Sequence, residues 1–216
     1  FYRTDQPPPA EFFAPLGEFW RQGGFDLREL CRRFFGSTIF FHPDYRANFI
    51  KSPIHYQLGL VQDLGLDVLP LPRTTLQPLR QMGQNFLYPP NVRGWVGGRL
   101  WINSSTLAAR RQLAITLCTP LDEDRLNADE KLELAVARDA GRSRFTVDED
   151  RIRAFTALGP EGIADRLCDF FLPVRVSADY RATLVDYLAQ GPAEDFEDRA
   201  RRATIAILQS PEYQLC

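Results

Sequence analysis

The chain reads as all-α: an irregular bundle of about eight or nine helices with one long ordered loop rich in glycine, proline and tryptophan. Three observations predict this. Apolar residues recur at helical spacing through most of the 216 residues. Caps and breakers interrupt those stripes at short intervals, so each helix is bounded by its own signals. No run alternates apolar and polar residues as a half-buried strand would. The hydrophobic fraction of 44% and the charged fraction of 25% are those of an ordinary globular domain, long enough to bury a core.

The elements follow in order. After Pro7-Pro8-Pro9, residues Phe12, Phe13, Leu16, Phe19 and Trp20 form an amphipathic stripe that Gly23-Gly24 stops. Asp26 reads as an N-cap with Glu29 three residues on, and Leu27, Leu30, Cys31, Phe34 and Phe35 give the buried face. The aromatic cluster Phe34, Phe35, Phe40, Phe41, Tyr45 and Phe49 is expected in the core, joining the first two helices to the third. Ser52-Pro53 opens the third helix, because serine caps and proline tolerates the first helical position, where its missing N–H costs nothing. Pro70 and Pro72 lead into a short helix carrying Leu76, Leu79 and Met82. The unusual loop then runs over 83–103, and Asn103 or Ser104 caps the helix that follows.

Between Asp122 and Asp150 stand ten acidic and five basic residues, predicting a solvated excursion with one helix near 128–137, capped by Asn127 and boxed by Glu130. Helices are expected again over 149–158, 161–172, 178–189 and 193–209, punctuated by Gly159-Pro160, Pro173 and Gly191-Pro192. We therefore read 1–118 as a helical core with the 83–103 loop, 119–150 as an acidic solvated excursion of the same domain, and 151–216 as C-terminal helices packing on that core. The chain opens at Phe1 without an initiator methionine, and is read as part of something larger.

Several function classes find no support. A net charge of −2 provides no global basic field for nucleic acid, and Arg32-Arg33, Arg110-Arg111 and the arginines of 199–202 read as solvated helix faces. No apolar run approaches the roughly 18 residues a membrane span needs. Cys31, Cys118, Cys168 and Cys216 lack metal spacing, and their even count permits disulfides without arguing for them; Cys31 and Cys168, on apolar helix faces, read as buried free thiols. His42 and His55 sit in no metalloprotease-like motif; Ser104-Ser105 begin a helix; Gly94 to Gly98 lack the lysine and hydroxyl of a phosphate loop. No catalytic residue, metal ligand or cofactor is assigned.

The loop is the exception to this plainness. Tyr88, Trp95 and Trp101 offer flat apolar faces, and Asn91, Arg93, Arg99 and Asn103 offer donors around them. Such a mix suits a saccharide or another flat polar ligand. The competing reading, which we prefer, makes the tryptophans a plug for the bundle and the arginines caps for helix ends.

Four stretches carry a resemblance: Ile50-Lys51-Ser52-Pro53; Met82-Gly83-Gln84 with Leu87-Tyr88-Pro89-Pro90; Gly94-Trp95 with Gly97-Gly98 and Trp101-Ile102-Asn103-Ser104-Ser105; and Ser210-Pro211-Glu212-Tyr213-Gln214-Leu215. In their order and separation they resemble the bacterial DUF1800 family, whose function is unknown. The resemblance covers residues 1 to about 114 and 163 to the end, and places the chain as the family's C-terminal half. It implies, as partners, the family's longer N-terminal half and a co-encoded exported protein of the DUF1501 family, and it implies an exported or periplasmic location. The expected function is a non-catalytic binding or assembly module of a larger protein; the alternative is a saccharide- or polymer-binding protein or hydrolase that uses the 88–103 loop.

Overall fold

A computed structural model describes residues 10–38, 40–43, 46–95 and 97–216. Ten α-helices run through them: α1 (Ala10–Gln22), α2 (Leu27–Phe35), α3 (Pro53–Asp63), α4 (Pro72–Gln81), α5 (Ser104–Cys118), α6 (Ala128–Asp139), α7 (Glu149–Thr156), α8 (Gly159–Phe171), α9 (Ala178–Ala189) and α10 (Phe196–Gln209). Among the described residues there is no strand; one isolated antiparallel bridge joins Ile50 to Leu215. The fold is the all-α irregular bundle that periodicity predicts.

Local chemistry sets the helix starts. Asn127 and Glu130 form a reciprocal capping box at α6, with Glu130 N–H donating to Asn127 Oδ1 at 2.9 Å and Asn127 N–H to Glu130 Oε2 at 3.1 Å. Asn103 and Thr106 do the same for α5. Asp26 caps α2 by accepting from Arg28 and Glu29 N–H groups. Because four N–H groups at each helix start have no internal partner, these side chains fix where the helices begin.

Helices α5 and α10 form the centre. Helix α5 packs against α3, α4 and α10, while α10 also holds α7, α8 and α9. Their shared core includes Tyr56, Leu60, Met82, Leu113, Leu117, Ile163, Leu167, Leu188, Ile207 and Tyr213, all nearly inaccessible to water. Burying a large aliphatic side chain of this kind contributes about 1.5–3 kcal/mol. A smaller cluster gathers Leu69, Leu71, Leu126, Leu134, Ala137 and Phe145, fastening the acidic 119–150 segment to the turn before α4. Asp67 strengthens that attachment by accepting from the Ser143 and Arg144 N–H groups, each at 3.0 Å.

Helices α1 and α2 pack chiefly on each other, and neither buries a side chain among the described residues. This corrects the expectation that the aromatic cluster is core. Phe35, Phe41 and Phe49 are exposed, and Phe34 and Phe40 are half-buried in edge-to-face contact with one another. Tyr45 lies outside the described residues. The rings of α2 and the turn after it also meet one another edge-to-face, Phe34 with Phe35 and Phe35 with Phe40.

Candidate functional site

Two of the resembling stretches meet at the start of α3. Pro53 needs no acceptor there; His55 N–H donates to Ser52 Oγ at 3.2 Å, and Ile54 N–H donates to Gln84 Oε1 at 3.0 Å. Gln84 reaches that position because Gly83 takes a left-handed turn (φ 89°) after α4, letting Gln84 N–H close onto Leu79 O at 2.8 Å. The glycine and glutamine after α4 thus complete the cap that the serine and proline begin at α3.

The first and last stretches converge on Arg110, which is 0% exposed. Its guanidinium donates to Lys51 O at 2.7 Å and Gln214 Oε1 at 3.2 Å, and lies over the Tyr56 ring at 4.9 Å. Lys51 N–H in turn donates to Gln214 O at 2.8 Å, beside the Ile50–Leu215 bridge. Tyr56 directs its hydroxyl at Arg110 O (3.1 Å) and Leu208 O (3.3 Å). The lock therefore ties α3, α5, α10 and the C-terminal segment together through main-chain carbonyls. This corrects the reading of Arg110-Arg111 as a solvated face: Arg110 is buried because those carbonyls accept from it. Arg199 and Arg201 are half-buried and donate to carbonyls of Leu188 and Pro192 and of Cys118 and Val147, at the ends of α9 and α5. They form no basic stripe.

Electrostatics follow from this burial. Burial draws the Arg110 guanidinium down to about 10, with Tyr56 opposing, so it is still a cation at neutral pH. Lys51 is 7% exposed, and its ammonium lies 3.6 Å from the centre of the Tyr213 ring. Burial lowers its pKa, the charges of Asp63 and Cys216 raise it, and Arg110 lowers it again. Tyr213 donates to Asp63 Oδ2 at 2.8 Å, and burial followed by the Asp63 charge pushes its own hydroxyl up. His55, held 3.7 Å from Cys216 Sγ through Nδ1, is lowered by burial and then by Lys51. No group of three or more histidine, cysteine or acidic residues is placed to hold a metal among the described residues.

The loop residues are distributed differently. Trp101 is buried (6% exposed) at the end of a 3₁₀ turn, Gly98–Trp101, and its carbonyl accepts from the Thr106 hydroxyl at 3.0 Å. Asn103 is committed to capping α5. Asn91 accepts from Arg93 N–H at 2.8 Å and shapes its own turn. Trp95 is half-buried, while Tyr88, Arg93 and Arg99 are exposed. None of these residues lines the four cavities found around Leu69, Leu58, Arg166 and Pro70. Beside the exposed Asn91, Arg93 and Arg99, the loop also holds large apolar side chains out to water: Phe86 at 51%, Leu87 at 77%, Tyr88 at 77%, Val92 at 106% and Leu100 at 67% exposure. Exposure of this kind has no sequence signal beyond the loop's composition, and the buried Arg110 lock has none, since an arginine on a polar-looking helix reads as solvated.

No helix among the described residues is long and apolar enough to cross a membrane. Neither the curated proteins nor the solved structures include a match to the chain. The family comparison does give one, over residues 1–215, to DUF1800, described as a protein of unknown function. The capped start of α3, the Arg110 lock and the buried Trp101 turn account structurally for the four resembling stretches, and the chain belongs to the DUF1800 family.

Proposed function

We propose that the chain is a non-catalytic helical binding and assembly module that docks an apolar surface onto a partner protein. One observation carries this: Phe25 (60% exposed) and Leu87 (77% exposed) hold large apolar side chains out to water at left-handed backbone positions, φ 65° and 59°. Glycine would occupy such positions at less cost, and a bulky residue kept there at about 1–3 kcal/mol points to a use for its side chain. Leu27 (63%), Phe41 (64%) and Val92 (106%) add to the exposed apolar surface.

The partners that the family resemblance suggests are the longer N-terminal half of a DUF1800 protein and a DUF1501-type protein. Calorimetric titration of each, produced separately, into this chain tests the reading. Binding to at least one is expected, with Phe25→Asp plus Leu87→Asp weakening it at least tenfold (about 1.4 kcal/mol). Because both side chains are exposed, the same variant should unfold within about 0.5 kcal/mol of the parent, or be more stable where strain is relieved. Failure of the chain to bind either partner, or equal binding by the variant, defeats the proposal.

A further inference from the structure

A cleft of about 330 Å³ opens between the end of α3, α7, α8 and α10, away from the apolar loop. Its walls are apolar, with Ile152 and Leu167 buried and Phe155, Phe170 and Phe171 presenting rings at its edges. Two guanidiniums line it, Arg151 and Arg166. Arginines elsewhere on the surface are matched to carboxylates: Arg73 to Glu130, Arg138 to Glu123, Arg153 to Glu197, Arg181 to Asp165. Neither Arg151 nor Arg166 has a carboxylate within ion-pair distance among the described residues. Arg151 makes one long contact, donating to Gly65 O at 3.3 Å, which leaves most of its N–H groups uncommitted. Arg166 only faces the Phe170 ring, at 5.7 Å. The cleft's single acid, Asp63, already accepts from the Tyr213 hydroxyl and is attracted to Lys51. Thr204 is likewise spent, its hydroxyl donating to Ala200 O at 2.9 Å.

A cavity with an apolar floor, aromatic edges and two guanidiniums unmatched by carboxylates has the makings of a site for a flat anion. Guanidinium forks match carboxylate, sulfonate and phosphate oxygens, and the rings take a planar apolar body. We propose that this cleft binds a small organic anion with a planar apolar body, its acidic group on Arg166 and Arg151 and its body over Phe155 and Phe171. The proposal is separate from the docking surface, and neither depends on the other.

The test uses 2-naphthoate as the probe and neutral 2-naphthamide as its uncharged match, titrated into the full chain and followed by NMR shifts and calorimetry. We expect sub-millimolar binding of the acid, at least ten times tighter than the amide, weakening as salt rises. Arg166→Gln should reduce acid affinity at least fivefold and leave amide binding unchanged. Arg166 is exposed, so this variant keeps the fold, whereas Arg151→Gln also removes a donor at the end of α3 and serves only as a second reading. Arg202→Gln, on the far pairing with Asp198, should change nothing. Equal affinity for acid and amide, an Arg166→Gln variant that binds as the parent does, or no binding of the acid at all overturns the proposal.

Discussion

Arg110 shows how much one side chain can hold together when its partners are neutral oxygens, one main-chain carbonyl and one side-chain amide, rather than carboxylates. Lysine is not a substitute, because an ammonium cannot span Lys51 O and Gln214 Oε1 as the planar fork does. Arg110→Lys should therefore cost about 1–3 kcal/mol for one orphaned acceptor, and Arg110→Ala about 2–4 kcal/mol for two, read as shifts in denaturant midpoint at constant slope. Cys118 offers a second test at this scale. Burial pushes its thiol up from 9.0 to about 12, with Arg201 opposing. Below pH 9 both folded and unfolded chains keep the proton and the full stability remains. Between 9 and 12 the unfolded chain releases it first, so stability falls by about 1.4 kcal/mol per pH unit. Tyr56 and Tyr213, raised by burial, act in the same sense above pH 10. Lys51, lowered by burial, acts in the opposite sense up to 10.5, since there the unfolded chain holds the extra proton. Chemical denaturation from pH 8 to 10.5 should show Cys118→Ala losing less stability, or gaining more, with rising pH than the parent does above pH 9.

At the scale of elements, the start of α3 depends on a residue thirty positions away. Gln84→Ala leaves the Ile54 N–H without its acceptor and should cost about 1–3 kcal/mol, with hydrogen exchange accelerated at Ile54 before the centre of α3. An unchanged exchange rate there would show that water replaces the cap. Caps made by near neighbours were legible in the sequence: Asn127 with Glu130, Ser52 before Pro53, Asp26 before Leu27. Caps made across the fold were not, because a glutamine after a glycine carries no mark of the helix it will meet. The break after Leu158 was legible as well, with helices expected on both sides of it. Gly159-Pro160 separates α7 from α8 without an intervening loop, since proline is welcome in a first turn.

For the whole molecule, periodicity revealed the class and most helix positions, because an amphipathic stripe is a local property. It misjudged burial wherever burial depends on what lies opposite. The aromatic residues of α2 have the spacing of a core face, yet Phe35 stands 44% exposed. Leu126 and Phe145 sit in acidic surroundings and are buried, because Leu69 and Leu71 cover them. The candidate loop was visible as composition, but its division into a buried Trp101 and an outward Leu87 was not. If α1, α2 and the loop tip serve a partner, substitutions there alter association far more than folding; if they serve the fold, the order reverses.

The Arg110 lock also has a history within each synthesis of the chain. The guanidinium leaves the ribosome 59 residues after Lys51 and 104 residues ahead of Gln214. Through that interval one of its two acceptors does not yet exist, and sealing a half-satisfied cation against the Tyr56 ring is unfavourable. A nascent chain is thereby discouraged from closing its centre around α5 too soon. The later segment that carries Tyr213 and Gln214 acts as the keystone: until it arrives the helices can form and jostle, but the arch does not bear load.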